Sequence, residues 1–421
     1  MPVALAVTGS SMVTAAGRGL DATWDALCSG ESFLLPDADP ELEGFSPVST
    51  ARCAAIDPES LGLDRRSARI AGPHTYLLLA AVSDALRDAG IVAGEAANSA
   101  DEEIAFFAAL DSIDPAGEDL ISAVQAMRQE DGGEDFGVFF SEGMPQIPPL
   151  WPLAVLSPIG FSQVSIQLGL RGENGLFSPG TEAGAQAIIE AAEAIREEKA
   201  SSAVAAGVGT AISARSIARY RKQGLLQEAE DPKVGSPQYI SERHAATLGE
   251  GAGAAVIEPL QDARSAGKPV KGLLTGWGRA TALESTGGLT IAIREATHRA
   301  LEMAEISPGR VGLVVTNGAG TSAEDRAEAE ALSAVLGNHR PRALTTKAAF
   351  GHLLGASPIV DLLLALRALA EEEVPPSPGA GGPACDLMDF FQGPMAAETR
   401  SALVLSQGFG GACAAFSAEV V

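Results

Sequence analysis

Apolar positions along the chain follow two rhythms. The clearest helical one spans residues 184–199, where Ile188, Ala191, Ala192 and Ile195 recur on one face and Glu and Lys fill the other. Residues 20–29 and 74–89 also read as helices, the second closed by Gly90 as a C-cap. Short apolar runs at 1–8 (ended by Gly9), 103–110, 203–206 and 252–257 read as buried strands. After a connector at 259–269 the same grammar returns. Strands are expected at 272–276, 313–316, 403–406 and 414–419, and helices at 291–304, 327–336 and 359–370. Strands alternating with helices in both parts predict two stacked α/β units, residues 1–258 and 259–421. Residues 36–66 are rich in Pro, Asp and Ser and are expected as loops, and 132–158 lacks a period and is expected as an irregular insertion.

Composition narrows the function classes. The 421 residues are 46% hydrophobic and only 5% aromatic, which fits a globular core packed with small side chains. A net charge of −25 opposes binding to nucleic acid or an anionic membrane, since both are polyanions. The charge otherwise reads as a means of solubility, or, more sharply, as a sign that any basic docking face belongs to another chain. Cys28, Cys53, Cys385 and Cys413 form no CxxC pair, so neither a metal nor a redox cofactor is expected. The start has no signal-peptide pattern, and no apolar run reaches about 18 residues. Both point to a cytoplasmic protein with reduced thiols and no membrane span.

Five segments carry glycine-rich signatures in order. They are Val7-Thr8-Gly9 to Met12-Val13-Thr14 with Thr23-Trp24-Asp25-Ala26-Leu27; Leu168-Gly169-Leu170-Arg171-Gly172 leading to Gly184-Ala185-Gln186-Ala187-Ile188; Gly249-Glu250-Gly251-Ala252-Gly253; Lys347 with Gly351-His352-Leu353-Leu354-Gly355-Ala356; and Gly408-Phe409-Gly410-Gly411. One such cluster is a weak signal, but five in register from residue 7 to 411 are not. The chain resembles the β-ketoacyl synthase family of the thiolase superfamily. That implies two similar α/β halves stacked as five layers, αβαβα.

The resemblance also says which residues to inspect. Active members carry a cysteine at a helix N-terminus that accepts an acyl group from acyl carrier protein. Two histidines help decarboxylate a malonyl thioester, and a lysine and a glutamate orient the set. Here the nucleophile position reads Thr181-Glu182-Ala183-Gly184, with threonine in place of cysteine. Thr181 could instead serve as a helix cap or near-cap. A threonine hydroxyl needs an activating base to attack, and Glu182 would oppose a neighbouring anion. The first histidine position holds Ala319, in Ala319-Gly320-Thr321. Further along, Ala323 and Ala327 stand where threonine and aspartate are usual, and Glu330 is placed at the glutamate position. His352 and Lys347 are retained, with His352 either a remnant electrophile or a structural hydrogen-bonding group. Phe409, flanked by Gly408 and Gly410, matches a gating phenylalanine, or is plain core.

Loss of the nucleophile and one histidine resembles the chain length factor of type II polyketide and polyene systems. Such a subunit pairs with an active ketosynthase, and the pair shapes an acyl tunnel. The familiar substitution there is glutamine rather than threonine. The expectation is a non-catalytic heterodimer partner, with carrier protein bound mainly through the active subunit. Trp151, with Phe139, Phe140 and Met144, is expected near the interface or tunnel. The alternatives are a divergent synthase, acyltransferase or malonyl decarboxylase, and a homodimeric acyl-binding protein.

Overall fold

The computed structural model describes residues 4–37, 48–92, 104–114, 117–129, 131–226, 246–282, 287–377, 390, 393–395 and 399–421. Ten strands build its main sheet. The first five are β1 (Leu5–Thr14), β2 (Ala105–Leu110), β3 (Asn174–Phe177), β4 (Ala203–Gly209) and β5 (Gly251–Pro259). The second five are β6 (Gly272–Thr281), β7 (Leu313–Val315), β8 (Arg342–Leu344), β9 (Ser401–Gln407) and β10 (Ala412–Glu419). Their order is β8-β7-β9-β10-β6-β1-β5-β4-β2-β3, with the short strand Gly17–Arg18 attached to β1.

Counted within its own set, each five reads 3-2-4-5-1. In both sets strand 5 runs antiparallel to strands 1 and 4, while strand 2 runs parallel to strands 3 and 4. The halves therefore share a topology although their sequences show little identity. Antiparallel pairing of Leu5, Ala6 and Val7 with Leu274, Leu273 and Gly272 joins them.

Helices α1 (Leu20–Ser29), α2 (Pro73–Asp88), α3 (Ser157–Leu168), α4 (Thr181–Arg196), α5 (Ala214–Lys222), α6 (Gly287–Met303), α7 (Ser322–Leu336) and α8 (Ser357–Glu371) complete the frame. The pleat sorts strand residues between layers, because successive side chains point to opposite faces. Phe106, Ala108 and Leu110 of β2 pack with α2 and α3, whereas Ala105 and Phe107 face the central helices α4 and α8. On β7, Val314 joins α6 and α7, and Leu313 and Val315 face the centre. The result is helix, sheet, helix, sheet, helix.

The expected strands and helices occur, with shifted ends. Gly9 does not end β1; a Cβ there would collide with the carbonyl oxygen of Ala85, so glycine lets α2 lie close on the strand. The connector at 259–269 contains a helix, Leu260–Ser265. The stretch 132–158, expected as an irregular insertion, is not irregular. Short helices Phe136–Val138, Phe139–Gly143, Met144–Gln146 and Trp151–Ala154 occupy it, and the middle two pack on the helix Gly117–Ala126. Of the stretch 36–66, residues 38–47 lie outside the described residues. Its described part forms the strand Ser49–Ala51, paired with Leu248–Gly249, and the turn Pro58–Leu61.

Candidate functional site

Helix α4 begins at Thr181, preceded by Gly180 in a left-handed conformation with φ 86°. Thr181 is not a cap, since no side chain caps this helix end. Its buried hydroxyl faces the ring of buried His352, Oγ1 to Nε2 3.5 Å. His352 is fixed by its own backbone. Its N–H donates to the Thr247 carbonyl at 2.7 Å, and its carbonyl accepts from the Gly249 N–H at 3.1 Å. The Leu354 N–H donates to His352 Nδ1 at 3.0 Å. Nδ1 must then carry the lone pair, so in the neutral ring the proton sits on Nε2. Burial, reinforced by the Lys347 charge, holds this imidazole well below its ordinary pKa and keeps it neutral. His352 therefore presents an N–H to Thr181, and a donor cannot take the hydroxyl proton.

Lys347 does not bond to the ring. Its ammonium pairs with buried Asp361 at 3.1 Å, and Thr346 donates to the other carboxylate oxygen at 2.7 Å. Phe409 lies between two rings, 5.2 Å from His352 and 5.6 Å edge-on from Tyr220. It is half-buried, with Gly408 buried before it and Gly410 exposed after it.

The signature glycines explain how these pieces meet. A Cβ on Gly184 of α4 or on Gly207 of β4 would collide with the Gly355 carbonyl oxygen. Glycine at these two positions lets the His352 loop settle directly on the start of α4.

The loop holding Ala319 is polar, although Ala319, Ala323 and Ala327 themselves are not. Glu328, fully buried, accepts from the N–H groups of Asn317 and Gly318 at 2.6 and 3.0 Å. Asp325 accepts from Gly320, and Thr321 donates to Glu324. Ala319 itself is buried. The register of carboxylates differs by two residues from the sequence reading. Glu330 and Ala323 are exposed on α7 and take no part, and Glu328 and Asp325 are the inward acids. Asn317 accepts from the Gln407 N–H at 3.1 Å, which ties this loop to the Gly408 turn.

Asp111, at the end of β2, was missed. Its carboxylate accepts from Gly180 N–H at 2.7 Å and Gly355 N–H at 3.4 Å, bridging the residue before Thr181 to the His352 loop. Burial pushes this carboxyl up to about 6 against those two hydrogen bonds. No pattern marks a lone acid after a strand, so sequence offered no signal.

Beside this buried centre is a cleft of about 560 Å³ between β3, α4, β6 and β10. Leu176, Phe177, Glu182, Gln186, Arg279 and Cys413 line it, and Thr181 and His352 do not. Trp151 does not border it either. It sits half-buried at the start of its short helix, with an indole N–H that is buried and unpaired.

Comparison with known proteins completes the assignment. The model of the β-ketoacyl synthase N-terminal domain matches residues 3–263, and that of the C-terminal domain matches 281–380. The tetracenomycin polyketide synthase ketoacyl synthase beta subunit of Streptomyces glaucescens is 26% identical, covering 97% of both chains. A 3-oxoacyl-[acyl-carrier-protein] synthase 2 of Synechocystis sp. is also 26% identical, covering 96% of this chain and 95% of its own. Among solved structures, the ishigamide ketosynthase/chain length factor superposes over the full length of both chains with a TM-score of 0.83 at 19% identity. The matched residues and the duplicated five-layer architecture agree: this chain belongs to the β-ketoacyl synthase family, with a thiolase-like fold.

Proposed function

We propose that this chain is a non-catalytic ketosynthase-like subunit of the chain length factor type. It pairs with an active β-ketoacyl synthase and contributes walls to the acyl tunnel in polyketide or fatty acid biosynthesis. The observation that carries this reading is the Thr181–His352 pair. The hydroxyl replaces a thiol, and the only ring nitrogen facing it points a proton at it. A hydroxyl without a base is a very poor nucleophile at neutral pH. Ala319 removes a second histidine, and with it a donor for a malonyl enolate. Asp111 and Glu182, two acids near the start of α4, further disfavour an anion there. The printed names of two similar proteins, a ketoacyl synthase beta subunit and a ketosynthase/chain length factor, support the same reading.

The surface supports pairing. Eight large apolar side chains exposed to solvent fall within residues 121–166: Ile121, Val124, Phe136, Phe140, Met144, Leu150, Leu156 and Ile166. A monomer rarely leaves so much apolar surface in water. Among the described residues, strand β3 is also an edge, bonded on one side only, and open edges invite a second chain. The residue content of 117–158 fits the interface role expected of Trp151 and its neighbours better than a role at the buried centre. Carrier protein would then be met mainly through the active partner.

The test is intact-mass analysis after incubation with acyl carrier protein loaded with an acyl group. The purified chain alone is expected to gain no acyl mass, and the native complex to weigh as one copy of each subunit. An acylated Thr181 peptide, or an active homodimer, would overturn the proposal.

A further inference from the structure

Glu182 follows Thr181 in the first turn of α4. Its carboxyl is wedged between two backbone segments. A Cβ on Gly408 would collide with Oε2, and one on Gly180 would come within 2.7 Å of the same atom. The side chain turns back on its own N–H at the positive end of α4. Oε2 is buried and has no hydrogen-bond partner. The group is costly to keep there, since an unpaired buried oxygen loses its hydration. Burial raises its pKa accordingly. Glu182 also lines the 560 Å³ cleft, which the adjacent Thr181 and His352 do not.

We infer that Glu182 is an occluding residue: its carboxyl fills the space between the start of α4 and the Gly408 turn, and seals the Thr181–His352 pair from the neighbouring cleft. A carbonyl or carboxylate group that reaches the cleft meets a carboxyl wall rather than the helix N-terminus. The site is thus closed as well as stripped of its nucleophile. This goes beyond the non-catalytic reading, and the two fail separately. Occlusion concerns access, whereas the other concerns whether Thr181 reacts in the native complex.

The test places a reporter thiol at the position with Thr181→Cys and follows alkylation by iodoacetamide, with the modified residue identified by peptide mass. Thr181→Cys alone should label slowly. Adding Glu182→Ala should raise the rate at residue 181 at least ten-fold. Adding Glu182→Gln, which keeps the volume and removes the charge, should leave it within about three-fold of the single variant at a pH high enough to ionise the thiol. Should the Ala variant not fold, judged by its thermal melt, Glu182→Ser is read in its place. Rapid labelling of Thr181→Cys by itself would overturn the inference. So would an unchanged rate on truncating Glu182, or equal acceleration by Gln and Ala.

Discussion

On the proposed reading, Thr181 is one of several departures from a working site. His352 could be read from the sequence, but its role could not, because the role depends on which ring nitrogen holds the proton. The Leu354 N–H decides that, and a backbone donor leaves no mark in a sequence pattern. Burial also gives three groups opposite effects on acid stability. His74, buried in α2, is pushed down to about 4 by desolvation, and His352 moves in the same direction. A histidine whose folded pKa is depressed adds stability above its unfolded pKa of about 6.5, and that stability is lost as pH falls towards the folded value. Asp111, raised to about 6, acts in reverse: its contribution is full below about 3.9 and disappears as pH rises through 6. Replacing His74 by Leu should therefore flatten the acid side. Between pH 7 and 5 the variant should lose about 2 kcal/mol less unfolding free energy than the wild type, read from urea curves.

At the level of elements, the long periodic helices were legible and the short pieces were not. Helix α4 was visible from 184 onward, because Ile188, Ala191, Ala192 and Ile195 define its buried face. Its first turn, Thr181 to Ala183, buries only Thr181 and Ala183, too little apolar surface to extend the period. Strands β3 and β8 have four and three residues, too few to establish a period, and their existence depends on partners far along the chain. Helix α5 was missed because five of its nine residues are Arg, Lys or Ser, and one buried stripe of Ile217 and Tyr220 holds it. The signature glycines were legible as a family mark, though their physical reason was not. They are close approaches: Gly184→Ala should cost about 2–3 kcal/mol, since the new methyl meets the Gly355 carbonyl and both belong to packed elements. A urea midpoint equal to the wild type would mean that the α4–loop contact is looser than described.

At the scale of the molecule, charge and apolar surface are unevenly placed. The net charge of −25 hides a cationic helix, α5, which carries Arg215, Arg219, Arg221 and Lys222 and reaches the site through Tyr220 on Phe409. Net charge alone could not have located it. The apolar surface over residues 121–166 is the larger commitment. On the proposed role, Phe140→Glu, at a side chain 65% exposed, should weaken association with the active subunit more than about ten-fold while leaving the thermal melt of the isolated chain nearly unchanged. Undiminished association would place the interface elsewhere. The proposed role holds Thr181 inert, and the most direct measurement of that is the condensation rate of the native two-subunit complex carrying Thr181→Ala in this chain. The proposed role predicts a rate within about two-fold of the wild type, because the hydroxyl takes no part in the chemistry. Loss of condensation in a complex that still assembles would contradict it and make Thr181 a catalytic residue.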